Sequence, residues 1–184
     1  MEFRINKTLT IALTLSVGLL AGSFAGADDD YREVREGSRH SRSQAAAKTP
    51  ESALYKQECS SCHHLYQSWL LPARSWQAII DDSDKHFGDD LALDDATRKE
   101  LLNYLKANSS EKTSTKWAQK ITSSSEGMTP KRIMDVPWIK KEHREVGANV
   151  FKRAGIGSAS NCVACHTKAV EGNYDEDFIK IPRK

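Results

Sequence analysis

Two short motifs carry the residues of this chain that are best suited to chemistry. The first is Cys59-Ser60-Ser61-Cys62-His63, and the second is Cys162-Val163-Ala164-Cys165-His166. Both have the form C-x-x-C-H, which is the attachment signature of c-type haem. The two thiols add to the vinyl groups of a porphyrin, and the histidine that follows reaches the iron as its proximal ligand. Because the motifs account for every cysteine of the chain, they predict two covalently attached haem c groups.

Two other interpretations of the four cysteines are weaker. A disulfide framework gives no reason for a histidine directly after the second cysteine of each pair. A shared zinc ion would require two pairs that lie closer in sequence, roughly 15–20 residues apart as in zinc ribbons. Cys62 and Cys162 are instead separated by 162 − 62 = 100 positions. The spacing therefore favours haem attachment.

Each iron also needs a ligand on its second face, or it keeps an open site. The remaining donors, in chain order, are His40, His64, His86, Met128, Met134 and His143. His64 follows the proximal His63 directly, and sequence neighbours cannot lie on opposite faces of one porphyrin. We therefore expect His64 to hydrogen-bond to a propionate or to the backbone, and His40 to be solvated. Met128 and Met134 are competing ligands, and a methionine ligand would raise the reduction potential.

His86 and His143 are the preferred distal ligands because they stand at mirror-image offsets from the two motifs. His86 lies 86 − 63 = 23 residues after His63, and His143 lies 166 − 143 = 23 residues before His166. Each separation is long enough for the chain to cross a haem edge and return to the other face. We predict that His63 pairs with His86 and that His166 pairs with His143. Crossed pairing is the alternative that the sequence leaves open.

The elements that must position these residues have helical patterns, and no β-hairpin or βαβ pattern is present. Apolar spacing predicts a helix after Pro72, another that starts at Asp94, and a third with Asp135 as its N-cap. We expect a mostly α-helical fold with two covalently bound haems, short helices and long loops. Long loops are tolerable because each haem acts as a large apolar core element. The charged tail over residues 174–184 is expected to be peripheral.

The N-terminus predicts a secretory signal peptide over residues 1–27. Arg4 and Lys7 precede an apolar stretch over residues 9–20, and Ala25-Gly26-Ala27 is a small-residue cleavage site. The apolar stretch is too short to span a bilayer comfortably, so an uncleaved anchor is the weaker alternative. Secretion through a cleaved signal predicts a periplasmic protein that is soluble after cleavage.

Cleavage after Ala27 would leave 184 − 27 = 157 residues, which is enough for one domain or two small ones. We predict a flexible arm over residues 28–48 and a first haem domain over residues 49–108. Residues 109–134, rich in Ser, Thr and Lys, are predicted to be a connector, and residues 135–184 a second haem segment.

The net charge argues against one class of function. The formal charge is +2 for the whole chain, and Glu2, Arg4 and Lys7 of the signal contribute +1, so the mature chain carries +1. Such a balanced charge lacks the basic footprint of a nucleic-acid-binding protein. Any steering of a protein partner must therefore come from local patches.

Four blocks of the sequence resemble, in order, the soluble bacterial dihaem cytochrome c family. They are Tyr55 to His64, Leu71 to Trp76 followed by His86-Phe87-Gly88, Pro137-Trp138-Ile139 leading to His143, and Asn161 to His166. The resemblance covers residues 51–178. It implies a small c-type cytochrome with two low-spin haems that have histidine on both faces, His86 and His143 being the distal ligands.

The same resemblance implies electron transfer rather than catalysis. It suggests the oxygen-binding monohaem protein known as sphaeroides haem protein as the acceptor, and a membrane b-type cytochrome as the donor. Two other functions stay open at this point. A dihaem peroxidase would need an iron with an open or displaceable ligand and distal acid–base groups. A haem sensor would need one labile distal histidine.

Overall fold

The structure is a computed structural model, and it describes residues 52–183. In that range it contains six short α-helices: α1 (Ala53–Cys59), α2 (Ala73–Asp81), α3 (Asp95–Ala107), α4 (Lys116–Ser124), α5 (Pro137–Glu142) and α6 (Ala148–Phe151). Short 3₁₀ turns and loops connect them, and no β-strand is assigned within these residues. The prediction of a mostly helical fold with short helices is confirmed. The predicted signal peptide, the predicted arm and His40 lie outside the described residues.

Local sequence explains where the helices begin. The Asp94 carboxylate accepts a hydrogen bond of 2.7 Å from the backbone N–H of Thr97, so α3 starts as predicted. The helix that was expected to be capped by Asp135 starts later, with Val136 as its N-cap and Pro137 as its first residue. Proline is favoured at that position because its fixed φ suits a helix and it lacks an N–H that would be unpaired.

One apolar core extends from residue 55 to residue 139. Its buried members come from α1 to α5 and the loops between them: Tyr55, Trp69, Leu70, Leu71, Trp76, Ile79, Ile80, Leu93, Leu101, Leu105, Ala118, Ile121, Val136 and Ile139. Several of them are fully excluded from water, and this close packing is what holds the short helices together.

The segment predicted as a connector packs into this core. It contains α4, whose N-cap Thr115 accepts a hydrogen bond from the Ala118 N–H, and whose Ala118 and Ile121 are completely buried. Before this helix, the Glu111 carboxylate accepts hydrogen bonds of 2.9 and 3.2 Å from the Ala73 N–H at the start of α2. These contacts fix residues 109–134 against the helices that precede them.

Residues 140–183 have much less apolar interior of their own. The buried apolar residues in this described range are Ile156 and Ala169, whereas Val170, Phe178, Ile179 and Ile181 are exposed. None of the helices that the structure describes is long and apolar enough to cross a membrane.

The C-terminal tail is largely exposed, as expected, but its backbone pairs with the second motif. The Thr167 N–H donates to the Phe178 carbonyl at 3.0 Å, and the Lys180 N–H donates to the Cys165 carbonyl at 2.8 Å. A bridge also joins His166 to Ile179. The charge of the tail predicted its exposure but not this pairing, which the backbone makes regardless of which side chains the tail carries.

The buried position of α4 gives a test of stability. Replacing Ile121 by Ala in the complete protein should lower the free energy of unfolding by about 2–5 kcal/mol, because the truncation leaves a cavity in the core. Lys116→Ala on the exposed side of the same helix is the matched control and should change stability by no more than about 0.5 kcal/mol. Guanidinium unfolding followed by circular dichroism measures both. Equal, small effects would contradict the packing of residues 109–134 into the core.

Candidate functional site

The first motif begins at the end of α1. Cys59 is the last residue of that helix, and Ser60 caps it by hydrogen bonds from its backbone N–H and its hydroxyl to the Lys56 carbonyl. The helix end leaves Cys62 and His63 exposed on the turn that follows. His63 Nδ1 donates a hydrogen bond of 2.8 Å to its neighbour's carbonyl, the oxygen of His64. This hydrogen bond holds the proton on Nδ1 and leaves a free electron pair on Nε2, the form that binds a metal.

A strained loop brings His86 to the same place. Phe87 and Gly88, which follow His86, have positive φ angles of 53° and 113°. A non-glycine residue in this region is strained and persists only where surrounding contacts hold it. Two contacts do so here, because the Asp89 N–H donates to the His86 carbonyl at 3.1 Å and the Arg132 guanidinium lies 4.2 Å from the Phe87 ring centroid. The His86 ring centroid then lies 6.5 Å from that of His63, with the ring planes at 31°.

The second motif forms a 3₁₀ turn over Cys162–Ala164, and the His166 N–H closes it by donating to the Cys162 carbonyl at 2.8 Å. His143 comes from the C-cap of α5, where its Nδ1 donates to the Ile139 carbonyl at 2.8 Å. As in His63, this hydrogen bond leaves the electron pair of Nε2 free. The ring centroids of His143 and His166 are 5.8 Å apart, with the planes at 60°.

Both histidine pairs have a separation that suits one metal ion between them. Two imidazoles on opposite sides of a metal, each with a metal–nitrogen bond of about 2 Å, have centroids about 6 Å apart. Burial, and then the neighbouring histidine, lowers the pKa of both His86 and His166. A lowered pKa favours the neutral imidazole, which is the ligand form. The structure thus brings together the histidines that the sequence pairs locally.

The surroundings of the two motifs fit a haem at each. Buried nitrogen atoms without a hydrogen-bond partner include His64 Nε2, Trp69 Nε1 and His166 Nδ1. Buried polar atoms are nearly always paired, so the unpaired His64 Nε2, directly after the first motif, fits a bound group that carries acceptors. The exposed apolar residues near the second motif, such as Ile179 and Ile181, fit a large apolar prosthetic group.

The four thiols form no disulfide. Burial raises the pKa of Cys59 and of Cys162 to about 11, which keeps both thiols protonated at neutral pH. In the described part of the chain, no group of three or more His, Cys, Asp or Glu side chains is arranged to hold a metal ion by itself. A shared zinc site therefore has no support in the structure.

The remaining candidate donors have other surroundings. Met128 is 47% exposed, and Met134 packs against the apolar core, as its position beside Ile133 suggested. The carbonyl of His64 accepts the hydrogen bond from His63, and its own ring packs edge-on to Tyr66 at 4.2 Å. His64 therefore supports the proximal histidine through its backbone.

Three side chains that sequence reasoning missed connect the two motifs. The Tyr66 hydroxyl donates to the Ser160 carbonyl at 2.6 Å, and Gln67 Nε2 donates to the Ala169 carbonyl at 2.8 Å. The Tyr174 hydroxyl donates to Gln67 Oε1 at 2.6 Å, and its ring lies 5.4 Å from that of His166. Their partners are about a hundred positions away, so no local pattern could have found them.

The same three residues are partly buried. Burial, followed by the nearby Cys162, raises the pKa of Tyr66 to about 12. Burial also raises the pKa of Tyr174 well above its usual value. Both hydroxyls therefore remain protonated and act as hydrogen-bond donors between the two halves of the site.

Solved structures with similar folds are dihaem cytochromes. A dihaem cytochrome c from Rhodobacter sphaeroides is 39% identical, with a TM-score of 0.59, and the alignment covers 68% of this chain and 98% of that one. A second structure of that organism's protein is 41% identical, with a TM-score of 0.53, covering 67% and 96% of the two chains. A dihaem cytochrome c from Shewanella baltica is 32% identical, with a TM-score of 0.59, covering 73% and 96%. The comparison with curated proteins gave no match.

The family model described as dihaem cytochrome c matches residues 55–174. That range contains both C-x-x-C-H motifs and both candidate distal histidines. Members of this family contain two haem c groups and transfer electrons, which confirms the predicted cofactors. On the strength of the motifs, the fold and these matches, the chain belongs to the dihaem cytochrome c family.

Proposed function

We propose that this chain is an electron carrier, not an enzyme, in which each of two low-spin haems is held between two histidines. The observation that carries the proposal is the proximity of His63 to His86 and of His143 to His166, at 6.5 and 5.8 Å. The residues that would attach the haems are Cys59 and Cys62 for the first, and Cys162 and Cys165 for the second. When bound, each haem supplies an iron that alternates between the ferrous and ferric states.

The protein's part in this function is to hold the ligands still. His63 and His143 are oriented by hydrogen bonds from Nδ1 to backbone carbonyls, so their rings cannot rotate freely. Ligands that keep the same position in both oxidation states make electron exchange fast, because little rearrangement accompanies it. Two histidine ligands at each iron would also leave no ligand position for a substrate, which is why we favour a carrier over a peroxidase or a gas sensor.

The short distances within each pair also support local pairing over crossed pairing. His86 lies against His63, from which it is 23 residues away, and His143 lies against His166. In the crossed arrangement, His86 would have to reach the iron bound by His166.

The ligand assignment predicts the spin state of each iron. The purified protein should show two six-coordinate low-spin haems by optical and EPR spectroscopy. His86→Ala and His143→Ala should each convert one of the two haems to a high-spin form, because each removes one distal nitrogen. His64→Ala is the matched control, and both haems should stay low-spin. A high-spin signal amounting to one haem in the unaltered protein would contradict the carrier function.

Local and crossed pairing are separated by a protein with a single haem. Replacing Cys162 and Cys165 by Ala removes the second attachment site and leaves the haem of the first motif. In that background, His86→Ala should give a high-spin haem, whereas His143→Ala should leave a low-spin one. The reverse result would establish crossed pairing.

We also propose that the protein is located in the periplasm. The support is the pattern of residues 1–27, in which Arg4 and Lys7 precede an apolar stretch and the Ala25-Gly26-Ala27 site. Covalent attachment suits this location, since it retains the haem outside the cytoplasmic membrane. N-terminal sequencing of the protein from the periplasmic fraction should give Asp28 as the first residue. A protein that stays in the membrane fraction and begins at Met1 would contradict this location.

The proposed partners are a monohaem protein like sphaeroides haem protein as the acceptor and a membrane b-type cytochrome as the donor. This proposal depends on the family resemblance, because the chain has a nearly balanced charge that singles out no partner. When the reduced protein is mixed in a stopped-flow spectrometer with the oxidised monohaem protein of the same organism, electron transfer should be complete within milliseconds. The absorbance change of the haems measures it. If ferricyanide oxidises the protein rapidly and the monohaem protein does not, that acceptor is wrong.

A further inference from the structure

One tyrosine lies in contact with both haem-attachment motifs. The Tyr66 ring centroid is 4.9 Å from that of His63, the proximal histidine of the first motif. Its hydroxyl donates to the carbonyl of Ser160, at 2.6 Å, two residues before Cys162. The Cys162 sulfur lies 3.8 Å from the same carbonyl oxygen. An unbroken series of contacts thus leads from a ligand of the first iron to an attachment atom of the second haem.

The core holds Tyr66 in this position. The hydroxyl of Tyr55, a residue that is only 4% exposed, donates to the Tyr66 carbonyl at 2.8 Å. The ring of His64 also packs against the tyrosine, edge-on, with the ring centroids 4.2 Å apart. A tyrosine has only two side-chain torsions, so fixing its backbone and one ring face leaves the hydroxyl little freedom.

The neighbouring Gln67 makes a different connection to the second motif. It donates to the Ala169 carbonyl and accepts from the Tyr174 hydroxyl, both of which follow the second motif in sequence. Its side chain also packs closely on Gly172, where a Cβ atom would lie 3.2 Å from Gln67 Cγ. Gln67 therefore attaches the second segment without touching His63 or Ser160, which makes it a suitable comparison.

We propose that Tyr66 is a positioning residue that sets the separation of the two haem-attachment motifs and thereby the electronic coupling between the two haems. The proposal rests on the proposed function of the chain as a two-haem carrier. Tyr66 itself is neither oxidised nor reduced and exchanges no proton. It holds His63 on one side and the backbone at Ser160 on the other, so that the two cofactors keep a fixed distance.

The test uses the complete protein with both haems attached, and compares Tyr66→Phe with Gln67→Met. Tyr66→Phe keeps the ring against His63 and removes the hydrogen bond to Ser160, whereas Gln67→Met removes two hydrogen bonds to the second segment. Mass spectrometry and optical spectra should show two low-spin haems in both variants, since no ligand is altered. Hydrogen exchange of the backbone around residues 160–166 should be several-fold faster in Tyr66→Phe.

The readout specific to coupling is electron redistribution between the haems after flash photoreduction of one of them. We expect it to be several-fold slower in Tyr66→Phe and unchanged in Gln67→Met, even where Gln67→Met is the less stable protein. Tyr66→Leu, which also removes the ring, should slow it further. Equal rates in Tyr66→Phe and the unaltered protein would overturn the proposal, as would equal slowing by Gln67→Met.

Failure of the inference is distinguishable from failure of the proposed function. A high-spin haem in the unaltered protein would contradict the proposed function before any variant is made. Loss of the second haem from Tyr66→Phe, but not from Gln67→Met, would make Tyr66 a residue needed for folding and would overturn its role in coupling.

Discussion

The separation within two pairs of imidazole rings is the constraint on which the rest of this structure depends. A metal ion between two imidazoles requires ring centroids about 6 Å apart. The chain must therefore hold two pairs of histidines at that separation. In the first pair, a helix end presents His63, and a strained loop presents His86. The positive φ of Phe87 costs on the order of 1–3 kcal/mol, which the Arg132 contact and the turn at Asp89 must offset. In the second pair, His143 caps a short helix, and His166 ends a 3₁₀ turn.

The two halves of the chain position their histidines by different interactions, apolar packing in the first and hydrogen bonds in the second. Residues 55–139 share one apolar core that holds α1, α2 and α5, the helices that precede His63, His86 and His143. The second motif is in a region with few buried apolar residues, and it depends on hydrogen bonds from Tyr66, Gln67 and the C-terminal tail. A covalently attached haem would add apolar surface to the interior of the folded chain, and this contribution matters most where the protein's own core is smallest. The second haem is therefore expected to contribute more to local stability than the first.

The parts of the site that could be predicted from the sequence are those that chemistry restricts to a few residue types. Few side chains can attach or ligate a haem. The two motifs, and the equal separations of His86 from His63 and of His143 from His166, could therefore be identified from the sequence. The start of α3 at Asp94 was equally visible, because a cap acts within its own turn. The start of α5 was misplaced by one residue, since Pro137 was a stronger signal than Asp135.

Contacts between distant residues were not predictable in the same way. The hydrogen bonds of Tyr66 and Tyr174 join residues 94 and 107 positions apart, and no periodic pattern marks them. Composition also concealed the role of residues 109–134. That segment is rich in Ser, Thr and Lys, but three apolar residues, Trp117, Ala118 and Ile121, are enough to pack α4 against the core. The charge of the tail did not indicate its contacts with the second motif, because these are made by the backbone.

The pairing of the tail with the second motif has a consequence for the order in which the parts of the protein can assemble. The buried residues of the core all lie between residues 55 and 139, so this core can form before the end of the chain is in place. The Cys165 carbonyl and the Thr167 N–H, by contrast, have no partners until Lys180 and Phe178 have been synthesised. The second attachment motif therefore cannot complete its backbone contacts before two residues near the end of the chain, Phe178 and Lys180, are in place.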